Sequence, residues 1–402
     1  MRRATFLVLL LGLLPARLFA QADPNAPDPA KVKVRLGPVM MNPEVTFKDI
    51  GIDENVFNEA TDPKRDFSVT ISPRTELFLR FMGTWFNGAI NEDIVWYRTY
   101  TSERQSNSTR TLGWKMPLTR LTTNLQATRT QTRERPGYEI DERAQRTMIN
   151  YKAVASFKLL YNMAVDFNLT RNSVEYDEGV EFRGVQLRDQ LNVVTDSIAI
   201  GIKQTLTPLT FLTAGLVRTR DNYRFQPLRD AETTDAKVAL NFDPKAVLKG
   251  NLSLGLTKFR PLSDTIPAFT GVTLSADMNF AVRGATKFTI RADRQVQNSY
   301  DINQPYFLQT GFYLEVAQQV LGRVDLVVRG GLERMTYRDL AGAIVEAAGR
   351  TDRVETYGLG AGYHLGKNLR IGLNYDQTRR RSQIASREYE RPRVGSSVTY
   401  DF

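Results

Sequence analysis

The chain has 402 residues, 24% of them charged and 10% aromatic, with a formal net charge of +10, no cysteine and one histidine, His364. Length alone suggests two or three soluble domains. The missing thiols exclude disulfides, thiol nucleophiles and thiolate metal sites, and a lone histidine leaves little room for a zinc centre or a Ser-His-Asp triad. A mean hydropathy of −0.35, without a long apolar run past the N-terminus, excludes a polytopic helical membrane protein.

The chain begins with the short basic stretch Met1-Arg2-Arg3. Phe6–Leu14 is a brief apolar core, and Ala20-Gln21-Ala22 is an A-x-A cleavage site. This pattern reads as a secretory signal peptide over residues 1–22, with a short membrane anchor as the lesser alternative. Cleavage removes Arg2, Arg3 and Arg17 and takes the net charge from +10 to +7. Asp23–Ala30 reads as a flexible stretch within a periplasmic tail over residues 23–42.

From there to Phe402 the period of two dominates and the helical period is nearly absent. In Asp66–Phe81, Phe67, Val69, Ile71, Leu77, Leu79 and Phe81 share one strand face, while Ser68, Thr70, Ser72, Arg74, Glu76 and Arg80 take the other. The same alternation runs through Thr147–Phe157, Met163–Leu169, Val272–Phe280, Val324–Val328, Tyr357–Leu365, Leu369–Tyr375 and Val394–Phe402. Short turns fall near Met82-Gly83, Pro117-Leu118, Leu160-Tyr161, Thr207-Pro208, Pro244-Lys245, Arg283-Gly284, Leu321-Gly322 and Gly366-Lys367, mostly at Gly or Pro. Longer polar links separate them, among them Glu134–Glu142, Asp177–Gln186 and Asp339–Arg350. The count gives about eighteen strands, the eighth beginning near Leu187, with sixteen as the alternative.

The expected fold is all-β: one transmembrane antiparallel barrel over residues 43–402, with short periplasmic turns and longer extracellular loops. The strands are about twice the usual soluble length and long enough to cross a bilayer when tilted. Short and long connections alternate, as they do in outer-membrane barrels. Phe81, Phe86, Phe157, Phe242, Phe280, Tyr363 and Phe402 lie beside the short turns, where an aromatic girdle belongs. Arg129, Arg171, Lys258, Arg294 and Arg334 sit on the same faces near the long links, and read either as contacts to outer-membrane lipid and lipopolysaccharide phosphates or as solvated strand ends. Closure follows, because an open edge in lipid leaves backbone groups unpaired. The last strand, with Val398, Tyr400 and Phe402 on one face, resembles the terminal signal that the barrel-assembly machinery reads.

Gly37-Pro38-Val39, Ile52-Asp53-Glu54-Asn55-Val56-Phe57, Asp66-Phe67 and Ile71-Ser72-Pro73 resemble the bacterial "putative beta-barrel porin" family associated with exopolysaccharide export. The resemblance implies transport or secretion across the outer membrane, with periplasmic polysaccharide-export proteins as partners.

A barrel of this size leaves an aqueous channel. The candidate lumen residues are Arg74, Arg80, Lys152, Lys203, Arg283, Lys287, Arg291, Arg329, Arg370 and Arg393, interspersed with Asp93, Asp166, Asp277, Glu315, Asp325, Glu333, Glu355 and Asp401. They read either as an anion-selective lining or as cross-strand ion pairs that stiffen the wall. Of the 54 basic residues 40 are arginine, which suits both. Asp339–Arg350 (DLAGAIVEAAGR) reads as a partly helical constriction or as an ordinary outer loop. Asp53, Glu54, Asn55, Asn58, Glu59 and Asp62 are oxygen-rich but lack the spacing of a calcium loop. His364, inward and beside a turn, reads as structural. No phosphate loop or dinucleotide fingerprint is present, so no cofactor or metal is expected. The charge is too dispersed for nucleic acid. Two function classes follow: a non-enzymatic channel for small polar or anionic solutes or an exported polysaccharide, and a non-conducting barrel that partners a periplasmic or secretion complex.

Overall fold

The computed structural model describes residues 32–243, 246–320, 322–366 and 368–401. The expected signal peptide, the stretch Asp23–Ala30, and Pro244, Lys245, Leu321, Lys367 and Phe402 lie outside them.

Eighteen long strands follow one another along the chain. They are β1 (Val39–Asp53), β2 (Asp66–Phe81), β3 (Thr84–Tyr97), β4 (Gln105–Pro117), β5 (Leu121–Thr132) and β6 (Arg146–Leu160), then β7 (Met163–Tyr176), β8 (Val193–Thr207), β9 (Thr210–Tyr223), β10 (Ala231–Phe242), β11 (Leu248–Pro261) and β12 (Phe269–Val282), and finally β13 (Thr286–Asn298), β14 (Tyr306–Val320), β15 (Val324–Arg338), β16 (Thr351–Leu365), β17 (Leu369–Arg381) and β18 (Tyr389–Asp401). Each pairs antiparallel with the next. The ring closes where β1 meets β18 in the register Glu44↔Asp401 to Asp53↔Arg393. The seam carries a bulge at Lys48-Asp49, where the register slips against both neighbours and Asp49 takes φ +58°. An extra residue there sharpens the local twist, and aspartate tolerates the left-handed region better than most side chains.

The shortest strands have 12 residues, which at ~3.3 Å per residue and a tilt of ~45° span about 28 Å, close to a bilayer's apolar core. Eight short turns lie at one end and nine longer connections at the other. The first strand starts at Val39 rather than near Pro43, and Val34–Leu36 pairs back onto it.

The alternation sorts side chains as expected. Ile198, Ile200 and Ile202 of β8 are exposed on the outer face, while Ser197 and Lys203 fall on the inner one, since Ser197 pairs with Thr170 and Thr219. With outward residues destined for lipid and inward ones for water, the wall has almost no dry core. The largest buried apolar cluster instead sits in the loop end: Ile140, Ala144, Tyr176, Phe182, Leu187, Leu191 and Tyr300.

That cluster explains the clearest boundary error. The strand expected from Leu187 starts at Val193, because Leu187–Leu191 forms a five-residue helix, α1, whose leucines are buried in the cluster. The loop Asp339–Arg350 also departs from expectation. It contains no helix and lies along the rim, with Leu340 N bonded to Asn303 O and Ala341 N to Thr265 O, and with Ile344 95% exposed. Its last residue turns inward: Arg350 is buried, with its guanidinium 3.6 Å over the Tyr337 ring.

The lumen as candidate functional site

The inner faces of β15–β17 are built around glycine. Gly358, Gly360 and Gly362 of β16 all face inward, and long side chains from the flanking strands lie across them. Arg329 of β15 reaches over Gly358 to Asp376 of β17, with Nε–Oδ1 at 2.7 Å and Nη2–Oδ2 at 2.8 Å. A Cβ on Gly358 would sit 2.7 Å from that Nε. Arg370 of β17 reaches back over Gly362 to Asp325 of β15 at 2.8 and 2.5 Å. His364 Nε2 lies 2.8 Å from the same carboxylate. These are bidentate, charge-assisted pairs that skip a strand, so they tie three strands together. His364 is therefore part of the wall, as its place in the sequence suggested.

The remaining candidates are scattered along the bore. Arg74 pairs with Glu76 at 2.6 Å. Arg80 lies 5.7 Å over the Trp85 ring and Lys203 3.9 Å over Phe211. Arg393 meets Asp49 of the seam bulge at 3.2 Å. Lys152 and Lys287 face the lumen in register with Thr170 and Ala281. Two expectations fail. Arg283 is not on the wall but in the turn after β12, at φ +51°. Glu355 is not in the lumen: it pairs in register with Leu332 and Arg379 on the outer face and bonds Arg353 at 2.9 Å. The oxygen-rich stretch after β1 is a loop staple. Asp53 is bound to Arg391, and Asn55 Nδ2 donates to Glu59 O and Glu390 O, both at 2.9 Å. Among the described residues, no group of three or more His, Cys, Asp or Glu side chains is placed to hold a metal.

At mid-height the two sides of the bore differ. On β7–β12 the inward residues include the hydroxyls of Thr170, Ser197, Thr219, Ser253, Thr257 and Thr273 and the carboxylates of Asp221, Asp235 and Asp277, the last directly opposite Arg291. On β13–β18 they include Arg291, Arg329, Arg391 and Arg393. A cavity of about 450 Å³ lies against this basic side, lined also by Tyr313, Asp293, Glu333 and Asp376. Arg329, Arg391 and Arg393 are already bound to carboxylates. Arg291 is not. It lies 5.5 Å over the Tyr313 ring, and among the described residues no carboxylate is within 4 Å of it.

Tyr138 forms the roof of this cavity. It belongs to the loop after β5, which folds inward. The loops after β5 and after β13 are eight strands apart in a ring of eighteen, nearly opposite, yet they touch. Ser299 Oγ donates to Glu139 Oε1 at 2.6 Å, and Tyr300 N to Glu139 Oε2 at 3.2 Å. Arg380 of β17, its side chain fully buried, holds Tyr138 O at 2.7 Å, Asp141 Oδ1 at 2.8 Å and Asp352 Oδ2 at 2.6 Å. Arg387 donates to Glu139 O. The loop after β7 crosses too: Phe182 meets the Tyr300 ring edge-on at 4.7 Å, and Arg183 Nη2 donates to Ser386 O at 2.7 Å. Burial pushes the Glu139 carboxyl above the usual carboxylate range, against the pull of Arg387 and its two hydrogen bonds. Burial raises Asp141 likewise, against Arg380 and Arg387. These mouth residues escaped the sequence reading, although the inward position of Arg380 within Arg379-Arg380-Arg381 was visible from strand parity.

The model of one protein family, described as putative beta-barrel porin 2, matches residues 28–402. Among solved structures, a BenF-like porin from Pseudomonas fluorescens Pf-5 is 10% identical, with a TM-score of 0.50 over 90% of this chain and 99% of that one. OccK2 (OpdF) from Pseudomonas aeruginosa is also 10% identical, with a TM-score of 0.50 over 90% of this chain and 98% of that one. At these identities the likeness is one of fold. A comparison with curated proteins gives no match.

Proposed function

The chain belongs to the putative beta-barrel porin 2 family, and on that premise we propose that it is an outer-membrane channel for small, hydroxylated, anionic solutes. The observation that carries this reading is Arg291. It stands opposite Asp277 in register but among the described residues has no carboxylate within 4 Å, and it lines a cavity of about 450 Å³. A passing anion needs contacts strong enough to admit it and weak enough to release it. An arginine without a carboxylate contact, in a cavity whose other arginines have one, supplies such a contact. The loops packed across the mouth favour small solutes over an exported polymer.

Swelling of vesicles that contain the protein tests this reading. A small sugar acid is expected to enter faster than the neutral sugar of the same size, and the neutral sugar faster than the amino sugar. The reverse order would overturn the proposal. A second reading, a closed barrel that partners a periplasmic complex, draws on the same crossing loops, and no swelling with any of the three solutes would favour it.

A further inference from the structure

The outer rim beside the loop end carries charges in cross-strand rows. On β7–β11 one row reads Arg171, Asp196, Arg220, Glu232 and Arg260, each directly opposite the next. Signs alternate, so every charge faces its opposite, the favourable arrangement for cross-strand neighbours. On β13–β17 the corresponding row reads Arg294, Thr310, Arg334, Arg353 and Arg381. Here Arg334 stands directly opposite Arg353, and Arg353 directly opposite Arg381. Like charges in this relation are destabilising, and all three side chains are exposed on the outer face.

The neighbours do little to neutralise them. Glu355 bonds Arg353 at 2.9 Å. Among the described residues neither Arg334 nor Arg381 has a carboxylate within 4 Å. Thr310 is taken up by Arg294, whose Nη1 donates to it at 3.2 Å. On the turn side of this row the same face carries Leu332, Tyr357, Leu359, Ile371 and Tyr375, all exposed. The row therefore stands where the apolar belt ends, with tyrosines at the boundary, at the height of lipid headgroups. Strands ~4.8 Å apart put the three guanidinium stems within about 10 Å, the size of one headgroup.

We infer that the outer face of β15–β17 is a binding site for the phosphate of a phosphorylated outer-leaflet lipid, held by Arg334, Arg353 and Arg381. Arginine suits phosphate through paired donors. The bound anion would supply the charge that the cross-strand register lacks, and the alternating row on β7–β11 has no need of one. The inference rests on the outer-membrane setting and stands apart from the channel reading.

The test is native mass spectrometry of the folded full chain in neutral detergent, with diphosphorylated lipid A as the probe. The wild type should retain it about tenfold better than fully dephosphorylated lipid A, a difference of ~1.4 kcal/mol. Arg334→Gln/Arg353→Gln/Arg381→Gln should fall to the dephosphorylated level. Arg171→Gln/Arg220→Gln, which removes as many rim charges from the alternating row as Arg334→Gln/Arg381→Gln does here, should retain the lipid as the wild type does. Should the triple variant fail to fold, Arg353→Gln alone is read against Arg220→Gln. Equal retention by the wild type and the β15–β17 variants overturns the inference. So does equal loss in the β7–β11 variants, which would mean unspecific charge. Displacement of the lipid by millimolar inorganic phosphate overturns it too, because the site would then be one for free anions.

Discussion

At the scale of single residues, position in the wall decides what an arginine does. Arg370 is half a lock: it holds Asp325 through two bonds across Gly362, and the Asp325 side chain is only 14% exposed. Arg370→Gln leaves that carboxylate with His364 alone. A lost charge-assisted bond of this kind costs about 2 kcal/mol, to be read in denaturant unfolding of the reconstituted barrel. Adding Asp325→Asn should recover part of the loss, because residues in contact are not additive; a double variant as unstable as the sum of the two would contradict the coupling. Arg291, by contrast, holds no carboxylate, so its replacement should change ion preference and leave stability nearly untouched. In the sequence these two arginines look alike, each inward on an alternating strand. What separates them is Gly362, diagonal to Arg370 on β16, which leaves room for its side chain to cross to Asp325, and the run Gly358, Gly360, Gly362 at every second position was the available sign. Glu355 was misplaced by simple parity: Tyr357 and Leu359 face outward, so it must as well.

At the scale of elements, the strands were legible and the loops were not. A period of two, punctuated by Gly and Pro, fixes strand faces without knowledge of partners, and the turns expected at Met82-Gly83, Leu160-Tyr161, Thr207-Pro208 and Arg283-Gly284 fall at the joins between consecutive strands. Loop packing leaves no such period. Leu187–Leu191 read as the opening of a strand because nothing local reveals that its leucines dock on Ile140 and Tyr300 from other loops. For the same reason the apolar stretch Asp339–Arg350 attracted attention, while the polar loop after β5 does the crossing. The crossing should respond to pH. Glu139 is held above its ordinary range by burial, so the closed loop binds its proton more tightly than the open one. Its contribution is full below the ordinary glutamate range and fades as pH rises through the raised value. Asp141, which faces Arg380 and Arg387, acts in the same sense. Acidification from neutral pH should therefore tighten the mouth and lower single-channel conductance. Glu139→Gln should conduct at neutral pH as the wild type does in acid, with a weaker pH response. An unaltered response in that variant would contradict the assignment.

At the scale of the whole molecule, the polar average of the sequence has a geometric cause. Each strand shows apolar residues to lipid and polar ones to water, so the mean conceals a membrane protein, and residues 39–401 make one ring rather than two or three domains. Closure leaves the eighteen long strands without a free edge, and the largest buried apolar cluster among the described residues is the knot of loops at the mouth. The net charge is divided between two surfaces. Within the bore several arginines are bound to carboxylates in place, while on the outer rim of β15–β17 Arg353 meets Glu355 and, among the described residues, Arg334 and Arg381 meet no carboxylate.

The central claim is that the bore prefers anions and that Arg291 sets the preference. Planar-bilayer recording under a potassium chloride gradient tests it most directly, through the zero-current potential. The wild type should show the sign of anion preference, and Arg291→Gln should move the potential toward zero, roughly halving the anion-to-cation ratio. A potential of cation sign in the wild type, or one that Arg291→Gln leaves unmoved, would contradict the account. So would a barrel that stays silent even when Arg380→Gln releases the crossing loop.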